Sequence, residues 1–134
     1  MSTTTTKSNS GPGYKIHPKH RLRNEATAQR VRAVFNGETI ADTTRALVLW
    51  EADYPACYYI PREDVRDDLI TGSETDTYCP FKGTASYWTF EVDGKVAEDA
   101  AWSYETPFDE VMELKGRLAF YTDRVDELVV DDPG

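Results

Sequence analysis

The chain contains no paired CxxC, no HExxH, no GxSxG and no glycine-rich phosphate loop. Their absence removes the motif-borne forms of dithiol redox chemistry, zinc proteolysis, serine hydrolysis and P-loop nucleotide binding. Its two cysteines, Cys57 and Cys79, are too few for a disulfide framework, and structural zinc needs four good ligands. Both are therefore expected as reduced thiols in a cytoplasmic protein with no metal and no cofactor. The two histidines, His17 and His20, fall in the N-terminal stretch. That placement excludes a Cys–His or Ser–His dyad from the folded body and leaves chemistry to Cys, Lys, Glu, Asp, Tyr or Arg. No apolar run is long enough to span a membrane, and no signal-peptide core is present.

Positive charge is scarce and unevenly placed. Net charge is -9 over 134 residues, yet residues 1–32 hold seven Lys/Arg against one acid, Glu25. The remainder is strongly acidic, which argues against nucleic acid as a partner of the body, because phosphate binding needs clustered positive charge. The basic arm (Lys15, Lys19, Arg21, Arg23, Arg30, Arg32) could touch a phosphate, or lie against the acidic body, or be solvated.

What the chain does hold is aromatic residues and turn signals. Eight Tyr, three Trp and five Phe favour strands and an aromatic interior. Asn36-Gly37 and Asp93-Gly94 are two-residue hairpin turns. Arg30 to Phe35 alternates, with Val31 and Phe35 on one face and Val34 on the other. Ala46 to Trp50 reads as a strand buried on both faces, and Ala56 to Ile60 as another, closed by Pro61. Arg62 to Asp68 predicts a single helical turn. Pro107 to Lys115 predicts a short helix stopped by Gly116. Trp88, Phe90 and Val92 share one face of their strand, with Ala85 and Tyr87 on the other. The expected fold is mainly β, a compact antiparallel barrel or sandwich with one or two short helices. It forms one domain over residues 14–130, between polar tails at 1–13 and 131–134, the first of them disordered.

The most informative stretch runs from Thr77 to Phe90. In Cys79-Pro80-Phe81-Lys82-Gly83, proline and glycine are explained by turn geometry, but Cys79 and Lys82 are not. An ammonium beside the sulfur would favour thiolate, the nucleophilic form. The plain alternative is an inert cysteine at the base of a hairpin and a solvated lysine. Glu51, ending the apolar run, is placed for acid–base work or simply faces water.

Many short pieces carry a resemblance. His17-Pro18, Arg30-Val31-Arg32, Gly37-Glu38 with Ile40-Ala41-Asp42, and Ala46-Leu47 ending in Glu51 come first. Tyr58-Tyr59-Ile60-Pro61 before Asp64-Val65 follows, then Thr77, Cys79-Pro80-x-Lys82-Gly83, and Ala85 with Tyr87. Ala100-Ala101-Trp102-x-Tyr104, Pro107 and Gly116 to Tyr121 close the series. In order and spacing these resemble the bacterial and archaeal DUF427 family over about His17 to Val125. The resemblance implies a β-tent-like or Mss4-like domain; the paired CxxC motifs by which relatives of that architecture hold zinc are missing here. From the residues, Cys79, Lys82 and Glu51 are the candidate catalytic groups. Tyr59, Arg62, Tyr87, Trp102 and Tyr104 are the candidate contacts for a small molecule of unknown identity. The competing reading is a structural or protein-interaction module in which these residues only pack. No membrane partner is expected, and the oligomeric state is left open.

Overall fold

The computed structural model describes residues 9–132. Ten strands follow one another: β1 (Leu22–Ala26), β2 (Arg30–Phe35), β3 (Glu38–Thr43), β4 (Leu47–Glu51), β5 (Cys57–Pro61), β6 (Ile70–Cys79), β7 (Gly83–Val92), β8 (Lys95–Tyr104), β9 (Arg117–Phe120) and β10 (Glu127–Asp131). They form two antiparallel sheets. One has seven strands in the order β1-β4-β5-β9-β8-β7-β6, and the other has three in the order β10-β2-β3. The fold is mainly β, as expected, and takes the form of two sheets; among the described residues the edge strands β1 and β6 do not pair to close a barrel.

Turn chemistry sets the hairpins. Asn36 and Gly37 have φ of 50° and 79°, and Asp93 and Gly94 repeat those values. Positive φ at both central residues matches the right-handed twist of the strands they join. The helical segments expected after β5 and near Pro107 are 3-10 rather than α-helical. In place of the single turn expected over Arg62 to Asp68 there are two 3-10 turns, Arg62–Asp64 and Asp67–Leu69. Asp109–Leu114 is a 3-10 segment interrupted at Val111, whose φ of -132° leaves the helical region.

The described residues at the two ends are tied to the body. Residues 1–8 of the expected disordered tail lie outside the described residues, but Asn9 to Gly13 are fastened. Asn9 Nδ2 donates to the Pro107 carbonyl at 3.2 Å, and the Gly11 amide donates to Glu110 Oε1 at 3.0 Å. At the other end, Asp131 closes strand β10 and pairs with Arg32 at 2.9 Å.

Strand alternation divides the large sheet into two buried faces. On one, Ile60, Phe90, Leu118 and Phe120 pack against Val31, Ala33, Phe35 and Ile40 of the small sheet. On the other, Leu47, Leu49, Tyr59, Ala85, Tyr87, Tyr104 and Ala119 form a second core with Val111 and Leu114. Phe90 and Val92 therefore face the small sheet, with Trp88 packed beside them, while Ala85 and Tyr87 point the opposite way, as their parity requires. The outer edge of the large sheet is β6, ten residues that are mostly exposed, with a register shift between Gly72 and Asp76.

Phe90 is fully buried, and its ring centroid lies 5.5 Å from that of Phe120. Truncating a buried aromatic ring removes its transfer free energy and leaves a cavity. Phe90→Ala is expected to lower stability by about 3–5 kcal/mol, read from urea unfolding with the native sheet signal retained in the absence of denaturant.

Candidate functional site

The second buried face carries the chemistry. Because side chains alternate, Glu51 continues the series Leu47 and Leu49, Cys57 precedes Tyr59, and Tyr121 follows Ala119. Tyr87 hydroxyl bonds to Thr77 Oγ1 at 2.9 Å and to the Tyr121 hydroxyl at 3.3 Å. Trp102 Nε1 donates to the Tyr59 hydroxyl at 3.2 Å. Tyr59, Tyr87, Trp102 and Tyr104 thus share one aromatic face, and Lys82 reaches it, its ammonium 5.8 Å from the centre of the Tyr104 ring. Arg62 stands apart. It begins the 3-10 turn after β5, pairs with Asp67 at 2.7 Å and lies over the Trp88 ring at 5.6 Å. It lines a cleft of about 470 Å³ with Trp88 and Glu105, which of the other candidate contacts reaches only Tyr87.

Glu51 is the centre of the polar cluster. Its Oε1 accepts a hydrogen bond from Lys82 Nζ at 2.6 Å, and its Oε2 lies 2.9 Å from His20 Nε2. An ionised carboxylate has no proton to give, so the imidazole donates. All three side chains are mostly buried, at 15–19% exposure. Burial alone would raise the Glu51 carboxyl. The hydrogen bond and charge of Lys82, followed by those of His20, more than offset it, and the pKa is lowered.

His20 overturns the exclusion of histidine from the folded body. Strand β1 pairs with β4, with Leu22 opposite Glu51, and the Ala52 amide donates to the Arg21 carbonyl at 3.1 Å. This brings the chain just ahead of Leu22 to the end of β4. The ring of His20 then stacks on Phe81, centroids 3.8 Å apart. The arm is held to the same turn: the Gly13 amide donates to the Pro80 carbonyl at 3.0 Å, and the Tyr14 hydroxyl to the Phe81 carbonyl at 3.3 Å. A Cβ on Gly13 would lie 2.7 Å from Phe81 Cε1, so only glycine fits there without a shift. The sequence did hold a signal for β1. A strand apolar on both faces, such as β4, lies inside a sheet and needs a neighbour on each edge.

The two thiols differ. Burial pushes the Cys57 thiol up to about 11, although the nearby Lys82 charge opposes it. Cys79 is half-buried at the end of β6, opposite Gly83. Lys82 is committed to Glu51. The phenols stay protonated: burial raises Tyr59 and Tyr104, and pushes Tyr14 and Tyr121 up to about 12. Among the described residues, no group of three or more His, Cys, Asp or Glu is placed to hold a metal ion, and no helix is long and apolar enough to cross a membrane.

The chain belongs to the family described as a domain of unknown function, DUF427, whose model matches residues 23–131. No curated protein matches the chain. Glu51 and Lys82 fall inside the matched span and His20 outside it.

Two measurements follow from the electrostatics. The Glu51 carboxyl is depressed in the folded state, so its stabilisation is present above the ordinary value of 4.5 and is lost as pH falls through the folded value. The stability difference between the wild type and Glu51→Gln is expected to shrink on acidification, as read from urea unfolding across the acid range. In Cys79→Ser protein, the remaining thiol should be alkylated slowly near neutral pH, with the rate climbing toward pH 11. Fast neutral alkylation of Cys57 would contradict the burial.

Proposed function

We propose that this member of the DUF427 family binds a small polar molecule beside Glu51, Lys82 and His20, against the tyrosine face, and that the His20–Glu51 pair exchanges a proton with it. The observation that carries the reading is the Glu51 carboxylate held between an ammonium and an imidazole in a mostly buried setting. Lys82 has three N–H groups and spends one on Glu51. The others suit a carbonyl or carboxylate of the ligand. With Nε2–H engaged by Glu51, the second nitrogen of His20 is the one left to take up a proton. Tyr104 and Tyr59, protonated throughout the physiological range and buried beneath the cluster, form its neutral apolar floor. Cys79 supplies a thiol at the same turn as Lys82.

A second reading has its own support. Hydrogen bonds from Gly13 and Tyr14 to the Pro80–Phe81 turn run beside the cluster, so the same groups serve as a clasp that pins the arm to the sheet. In that reading the protein is a structural or interaction module.

A thermal-shift screen of small carboxylic acids, carbonyl compounds and amides separates the two. A ligand that binds only the native state at about a hundred times its Kd adds about 2.7 kcal/mol, on the order of ten degrees for a domain this small. The shift is expected in the wild type and absent in Lys82→Met and Glu51→Gln proteins that keep the native sheet signal. If no compound shifts the wild type and both variants only melt earlier, the clasp reading replaces the ligand site.

A further inference from the structure

We propose a second site, a phosphate-recognising cleft on the outer side of the arm, which takes a small organic phosphomonoester. The cleft measures about 860 Å³, and its lining includes Lys19, Arg21, Arg23, Trp50 and Asp53. That volume lies within the range of small-molecule sites.

Several cations of this chain pair with no carboxylate among the described residues, and three of them line this one cleft. In this acid-rich chain Arg30, Arg32, Arg45, Arg62 and Arg66 each pair with a carboxylate. Lys19, Arg21 and Arg23 form no ion pair among the described residues. Three cations against the one carboxylate of Asp53 leave two positive charges on the lining, with His17 and His20 beside them. A phosphomonoester carries roughly -1.5 to -2 at neutral pH and three strong acceptor oxygens, which matches that excess. A single carboxylate would leave it half-neutralised. Arginine presents a planar fork suited to phosphate oxygens, and lysine a point charge.

The wall selects for an organic group. Trp50 lies in the cleft with the Arg23 guanidinium over its ring at 4.3 Å, and Ile16 is 76% exposed at the rim. A ring or short chain on the phosphate would cover these surfaces. The site does not depend on proton exchange at Glu51; only His20 is common to both.

The test uses the full chain and phenyl phosphate at fixed ionic strength, read by calorimetry and tryptophan fluorescence. One-site saturation is expected, with inorganic phosphate weaker and benzyl alcohol silent. Lys19→Ala/Arg21→Ala removes two exposed side chains and should leave the melting temperature unchanged. It should weaken phenyl phosphate at least about tenfold, the value of one charged hydrogen bond. Trp50→Phe should abolish the fluorescence response. Arg62→Ala, which removes a cation lining a different cleft, should bind phenyl phosphate within about twofold of the wild type, which ties the loss to this cleft rather than to net charge. Absence of phenyl phosphate binding, or equal binding by the double variant, overturns the proposal. So does binding confined to a single-stranded oligonucleotide or to vesicles containing phosphatidic acid, which would make the arm a macromolecular surface instead.

Discussion

The Glu51 carboxylate joins three segments that are far apart in sequence, through His20 on the arm, the end of β4, and Lys82 on the β6–β7 turn. Each of the three groups would be costly to bury alone, and together they satisfy one another. The rest of the site follows from that mutual need. Lys82 is drawn over the Tyr104 ring, Phe81 is turned to stack on His20, and the arm comes to rest on the Pro80 carbonyl. Without the carboxylate, a mostly buried ammonium would face a phenol and a thiol with no counter-charge.

The two-sided large sheet makes this cluster possible. One face is occupied by the small sheet and closes as an apolar core. The opposite face is closed by the Val111–Leu114 segment at one part and by the arm at another, so it can hold polar groups near its rim. Tyrosines suit such a boundary, since their rings pack inward while their hydroxyls pair with one another, as Tyr87 does with Thr77 and Tyr121.

The sequence is legible where one short segment carries the whole message. The Asn36-Gly37 and Asp93-Gly94 turns, the buried run ending in Glu51, and the opposed faces of Tyr87 and Phe90 are of that kind. Strands β1 and β10 are not legible in the sequence because their pairing is remote. Leu-Arg-Asn-Glu-Ala has a single large apolar residue, and β10 pairs with a strand almost a hundred residues earlier. Missing β1 also hid His20, whose role exists only once the arm pairs with β4. The turn residues Cys79 and Lys82 stood out because backbone geometry did not account for them, whereas nothing local separates the side of the fold that Arg62 occupies from the side of Tyr59.

The free edge at β6 has a consequence for life at high concentration. The outer side of this ten-residue strand has no neighbour among the described residues, and such an edge would ordinarily invite a second chain to extend the sheet. Here Glu74 and Asp76 stand exposed on that edge, and the register shift between Gly72 and Asp76 breaks the even spacing a new strand would need. Two such edges brought together would set carboxylate against carboxylate along a kinked ladder. Self-association through sheet growth is thereby opposed by the edge strand itself.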